Sequence, residues 1–235
     1  AQRQHTLRLA RNCSAALLPS VAERLEAALG VTALATYAMT ESLPIASNSP
    51  AERVLETVGP SSGPQIAVAR PDGAPGRSRL GVLCRVGEEG EVLVRGPCVV
   101  SGYEARRGED PNSSSFYEAL DGASAAGGEW LRTGDRGRIN ACGHLELCGR
   151  FKEIINRAGE KISPLAVEEV LLAHGAFADL VCFAADHAEL GEVVGVAAVL
   201  RASAACPPLS ELRAHAHQSL SLRWCPEVCV LVPQL

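Results

Sequence analysis

Apolar positions in this chain change their spacing twice. In SAALLPSVAERLEAALG, residues 14 to 30, Val21, Leu25, Ala28 and Leu29 recur at helical intervals and Gly30 follows as a stop. The spacing predicts a helix of about three turns. VTALATYAM after it is short, apolar and β-branched or aromatic, which predicts a strand followed by a loop. From Val58 to Cys148 the helical period disappears. Short apolar runs (QIAVA, GVLCRV, GEVLVRG, GHLELCG) alternate with Gly, Pro and Asp, a texture that predicts a small β-barrel or sandwich. Residues 104 to 129, EARRGEDPNSSSFYEALDGASAAGGE, read as a long surface excursion closed by Trp130, because small polar residues bury little area. After Gly149 the helical period returns. Ser163 is a good N-cap, Pro164 suits the first helical position, Ile162 can staple onto Val167, and Gly175 ends the helix. LVCFAAD and EVVGVAAVL then predict two strands joined by HAELG, PPLSELRAHAHQSL a helix, and EVCVLVPQL a last strand.

The predicted organisation is an α/β remnant at residues 1–58, a β-barrel at 59–148, a link at 149–152 and a C-terminal α+β domain at 153–235. With 235 residues and 47% apolar content, the chain can fill a core and is expected to be soluble. A net charge of -5 provides no broad basic field, which argues against nucleic acid as a partner. No apolar run approaches the roughly 20 residues of a membrane span. The opening AQRQHTLRLARNCS does not read as a signal peptide, so the cytoplasm or a peroxisomal or other organellar matrix is expected rather than secretion. Nine cysteines without a C-x-x-C predict reduced, mostly buried thiols. Cys142, His144 and Cys148 lack the second matched pair that a tetrahedral zinc site needs.

Four segments, in order, carry the chemistry: YAMTES at 37–42, GEVLVRGPCVVSGY at 90–103, WLRTGD at 130–135 and GRFKEIINRAGEKISP at 149–164. Taken alone, a Thr-Glu pair is a cap, a Gly-Asp is a turn and Arg150 is a surface charge. Together they resemble the core motifs of the adenylate-forming ligases, the acyl-CoA synthetases, and within that family most resemble the oxalate–CoA ligase branch, the peroxisomal coenzyme A synthetase-like proteins.

The resemblance implies a partial adenylate-forming ligase fold and an ATP-dependent acid–CoA ligase that makes an acyl-adenylate and then a thioester. Its small-molecule partners would be a carboxylic acid, ATP/AMP, Mg and CoA. Joining a carboxylate to a phosphate brings like charges together, so such a site must supply cations and donors. By similarity Glu41 holds the magnesium ion, Thr40 bonds the α-phosphate, Tyr37 packs against adenine, and Asp135, on a tight Thr-Gly-Asp turn, accepts from the ribose hydroxyls. Arg150 would reach ribose or phosphate. Lys152 falls at the family's hinge, about which the small domain rotates between two half-reactions. Arg157, Ala158, Gly159, Glu160 and Lys161 resemble the loop presented to CoA. Read without the resemblance, the same stretch is a charged interdomain linker.

Family members also carry an upstream phosphate loop ending in Pro-Lys-Gly and a lysine in a C-terminal Thr-Gly-Lys segment, neither of which these residues contain. The expectation is therefore a piece of a complete ligase that does not turn over alone. The alternatives are a degenerate, non-catalytic scaffold subunit and one half of a split ligase partnered by another chain. Other patterns fail: Pro60 spoils GPSSG as a nucleophile elbow, and His215 and His217 point to different helix faces.

Overall fold

The computed structural model describes residues 6–13, 15–70, 80–104, 110–121 and 128–235. The chain divides into two units, residues 1–147 and 148–235.

The first unit opens with a strand the periodicity did not predict, β1 (Leu9–Asn12), which pairs in parallel with β2 (Thr32–Met39). Helix α1 (Pro19–Leu29) makes the crossover, so the three form a βαβ unit. Its stop is as expected: Gly30 adopts φ 68° and its N–H bonds the Glu26 carbonyl at 2.7 Å. The buried stripe differs from the predicted one. Ala22 is fully buried, Leu25, Glu26 and Leu29 are half-buried, and Val21 and Ala28 face solvent. A carboxylate causes that rotation: Glu26 accepts the Ala33 N–H at 2.8 Å and pairs with Arg53, and the backbone bond, ahead of the guanidinium, holds its carboxyl below the ordinary value. β3 (Leu43–Ser47) runs antiparallel to β2.

The short apolar runs become β4 (Gln65–Arg70), β5 (Leu80–Leu83), β6 (Gly90–Arg95) and β10 (Leu145–Arg150). They join β7 (Phe116–Tyr117), β8 (Ala119–Asp121) and β9 (Trp130–Ile139) in one seven-stranded sheet ordered β10-β9-β6-β4-β5-β8, with β7 on β9. The expected barrel is not closed: among the described residues β8 and β10 remain the two ends. The expected surface excursion is also corrected in part. After the single turn α2 (Asn112–Ser115), Phe116 and Tyr117 are buried, because β7 pairs its two residues with Leu131 and Trp130; residues 105–109 and 122–127 lie outside the described set. One core unites these strands: Tyr37, Ile45 and Ala46 pack with Val68, Val92, Val94, Phe116, Leu131 and Leu145.

The boundary between units falls inside β10. Beyond it, β11 (Ile155–Arg157) and β12 (Glu160–Ile162) form a hairpin, followed by α3 (Pro164–Leu172), β13 (Phe177–His187), β14 (Gly191–Leu200), α4 (Leu209–His217), a 3-10 turn at Leu222–Trp224 and β15 (Val228–Leu231). The sheet order is β12-β11-β14-β13, with β15 parallel to β14. Ile162, Val167, Leu171, Phe177, Leu180, Val194, Val196 and Leu212 fill the core, and Ile162 and Val167 are both fully buried, as a staple requires. Ser163 occupies the N-cap position but does not cap: its hydroxyl donates to the Cys148 carbonyl at 2.9 Å. The helix ends at Leu172, three residues before Gly175. No helix among the described residues is long and apolar enough to cross a membrane.

Candidate functional site

β2 delivers Tyr37 into the core of the first unit, 8% exposed, and the turn after it carries Thr40 and Glu41 outward. Asp135 comes from the other sheet. The sequence suggested a tight turn, but Asp135 lies inside β9, on a bulge. Glu91 pairs with Arg136 and Leu93 with Arg132, so Thr133, Gly134 and Asp135 stand opposite Val92 alone. Gly134 supplies the φ of 73° that the bulge needs, and a Cβ there would meet nothing, so backbone conformation rather than room makes glycine fit. The Thr133 hydroxyl donates to the Val92 carbonyl at 2.8 Å and accepts the Asp135 N–H at 3.1 Å, locking the kink. It aims Asp135, 7% exposed, at Tyr37, whose hydroxyl donates to Asp135 Oδ2. Two motifs 98 residues apart thus meet in one buried hydrogen bond.

Glu41 is half-buried and accepts on Oε1 from the Tyr103 hydroxyl at 3.0 Å, while its carbonyl accepts the Val100 N–H at 2.8 Å. Burial, and then the Glu41 carboxylate, push the Tyr103 phenol above its ordinary pKa, so at neutral pH it remains a donor. Asn112 clamps the Tyr103 backbone, accepting its N–H at 2.7 Å and donating to its carbonyl at 3.0 Å. Tyr103 and Thr133 were not singled out from the sequence. Both lie within the matched motifs, GEVLVRGPCVVSGY and WLRTGD, and that position is the signal that marks them.

Arg150, Lys152 and residues 157–161 belong to the second unit. Arg150 ends β10, and Lys152 is exposed in the turn where the Glu153 N–H bonds the Arg150 carbonyl at 3.1 Å. The expected loop at 157–161 is a hairpin: Arg157 pairs with Glu160, leaving Ala158 (φ 48°) and Gly159 (φ 90°) as a two-residue turn with both φ positive. Ala158, Gly159 and Lys161 are exposed. Glu160 is engaged, accepting from Trp224 Nε1 at 2.8 Å and Arg223 at 3.2 Å, and the indole bond first, then the guanidinium, holds its carboxyl below the ordinary range. Arg157 pairs with Glu227 at 2.7 Å.

Of the cysteine and histidine cluster, His144 is buried, its Nδ1 3.2 Å from the Thr57 hydroxyl, and its N–H bonds the Asn140 side chain that closes the β9–β10 turn. All nine thiols are free, but only Cys182 and Cys225 are buried, and Cys13, Cys98, Cys142 and Cys206 are exposed, against the expectation of mostly buried thiols.

An open α/β fragment joined to a bulged, mostly antiparallel sheet, with tyrosine and aspartate meeting between them, defines a class. The chain is similar to the adenylate-forming, AMP-binding enzymes. A family model described as AMP-binding enzyme matches residues 1–104. The chain is 36% identical over 201 residues to the oxalate–CoA ligase of Arabidopsis thaliana, covering 83% of this chain and 35% of that protein. It is 32% identical over 217 residues to the sulfoacetate–CoA ligase of Cupriavidus necator, covering 91% and 39%. ATP-bound MatB of Rhodopseudomonas palustris superposes with a TM-score of 0.81 at 26% identity, over 96% of this chain and 41% of that one. The o-succinylbenzoate CoA synthetase MenE of Bacillus subtilis, in complex with its acyl-adenylate intermediate, gives 0.78 at 27%, over 100% and 44%. The chain spans about a third of the length of the curated relatives it matches.

Proposed function

We propose that this chain supplies the adenine-nucleotide part of an ATP-dependent acid–CoA ligase, the enzyme class that converts a carboxylic acid to an acyl-adenylate and then to a CoA thioester. The observation that carries the reading is the buried Tyr37–Asp135 contact, which unites two motif segments from different sheets. Tyr37 flanks the base. Asp135, an acceptor-only group when ionised, takes the ribose hydroxyls beside the Tyr37 phenol. Thr40, exposed on the turn after β2, donates to the α-phosphate.

The Glu41 carboxylate fits a magnesium ion by its chemistry: a half-buried carboxylate at the site edge is the single protein anion that such an ion takes alongside substrate phosphates. Bound there, the ion would neutralise charge where acid and phosphate approach. Tyr103 orients the carboxylate. In the second unit we assign Lys152 to the hinge, Arg150 to ribose or phosphate, and the Ala158–Gly159 turn with Glu160 and Lys161 to the CoA-binding arrangement. The support is motif order, the exposure of Lys152 in a turn, and glycine at the hairpin tip. Glu160 serves there by fastening β12 to the 3-10 turn.

Titrating the 235-residue protein with ATP tests the reading. Asp135→Ala removes charged hydrogen bonds of about 1.5 to 3 kcal/mol, so affinity should fall on the order of ten-fold or more. An unchanged affinity would remove Asp135 from the site.

A further inference from the structure

One short segment holds Glu41 at two points. The Glu41 carbonyl accepts the Val100 N–H at 2.8 Å and its Oε1 accepts the Tyr103 hydroxyl at 3.0 Å, whereas no described residue bonds Oε2. A phenol can fix a carboxylate oxygen only where the phenol is itself fixed. The Tyr103 ring lies against that of the buried Phe116, with centroids 6.3 Å apart. Asn112 takes the backbone: its single amide satisfies both polar main-chain groups of Tyr103, accepting the N–H at 2.7 Å and donating to the carbonyl at 3.0 Å. Gly102 leaves room for that approach, since a Cβ there would come within 3.1 Å of Asn112 Oδ1. Asn112 is anchored in turn, because Asp110 Oδ1 accepts its N–H at 3.1 Å and that of Ser113 at 3.3 Å. These bonds lie on exposed chain, where they replace bonds to water and stabilise the fold little. What they determine is where the Tyr103 hydroxyl stands.

We propose that Asn112 is a positioning residue for a divalent cation: by clamping Tyr103 it keeps the phenol on Glu41 Oε1 and leaves Oε2 for the metal. The proposal rests on the reading of Glu41 given above and extends it to a residue outside all four motif segments. Groups that hydrogen-bond a ligating carboxylate orient it, and losing one such group typically lowers metal affinity ten-fold or more. Asn112 acts one step further back, through Tyr103.

Calorimetric titration of the 235-residue protein with ATP, in excess magnesium and separately in EDTA, tests the proposal. Wild type should bind ATP more tightly with magnesium. Asn112→Ala and Tyr103→Phe should each lose about ten-fold in affinity for magnesium–ATP and keep their affinity for metal-free ATP. In a Glu41→Gln background, Asn112→Ala should cost nothing further, because its effect passes through that carboxylate. Equal losses with and without magnesium would reduce Asn112 to a structural role and overturn the proposal, as would no loss at all. Wild type that binds ATP equally in both conditions overturns it while leaving the nucleotide reading standing, and absence of any ATP binding overturns both. Tyr103→Phe keeps the ring and the backbone clamp, so it decides the matter even where Asn112→Ala fails to fold.

Discussion

Glu168, on the inner face of α3, shows how one buried carboxylate sets a pH dependence. It is 9% exposed and accepts the Cys182 N–H at 2.7 Å, yet burial outweighs that bond and, with Glu153 and Asp179 adding repulsion, raises its carboxyl above the ordinary 4.5. A raised acid binds its proton more tightly in the folded than in the unfolded state. Its contribution to stability is therefore complete below pH 4.5 and lost as pH rises through the raised value. Glu26 and Glu160 act oppositely, stabilising above 4.5 and losing that effect as pH falls through their lowered values. Glu168→Gln keeps an acceptor for Cys182 and removes the charge. Urea denaturation from pH 4.5 to 8 should show the variant gaining on wild type as pH rises, and a constant difference would contradict the assignment. Cys182, buried beside this carboxylate, has its thiol pKa raised as well and stays protonated.

At the scale of elements, the β11–β12 hairpin and the β9 bulge both rely on left-handed backbone, and each solves the problem differently. The bulge uses Gly134, which has no steric penalty at φ 73°. The hairpin tip places Ala158 at φ 48°, where a Cβ costs about 1 to 2 kcal/mol. Ala158→Asn gives the Asn-Gly pair that a two-residue turn favours. Because Ala158 is exposed, the change should stabilise the protein by roughly 0.5 to 1 kcal/mol, read as a higher urea midpoint at unchanged slope. A fall in the midpoint would mean that the turn is not of this type.

At the scale of the molecule, the chain passes between its two units within β10 and then turns at Phe151–Glu153. Arg150 and Lys152 are exposed there, whereas α3 and the β13–β14 hairpin are embedded in a core. Limited digestion with a protease of broad specificity, such as proteinase K, should cut first near Lys152 or within residues 104–129, and a first cut inside 165–200 would contradict this division. In the complete enzyme, Lys152→Pro fixes φ at the proposed hinge, so ATP–pyrophosphate exchange should persist while acyl-CoA formation collapses. Equal loss of both would exclude the hinge role.

What the sequence determined by itself was local. Gly30 stopped α1, Pro164 opened α3, and apolar runs marked most strands, because cap chemistry and side-chain alternation depend on neighbours a few residues apart. The motif segments also carried the family resemblance and nominated Tyr37 and Asp135. Tertiary packing decided the rest. β1, four residues long, carries too short a pattern to register and exists because β2 offers it a parallel edge. Glu26 turned α1 so that its carboxylate meets Ala33 and Arg53, which no hydrophobic period foresees. Thr-Gly-Asp read as a turn and became a bulge because β6 holds Arg132 and Arg136 in ladder pairs on either side. The Ser163 hydroxyl left its helix for the Cys148 carbonyl. The meeting of Tyr37 with Asp135 depends on distances between sheets and on what occupies a neighbouring face, and those are fixed only when the long-range pairings close.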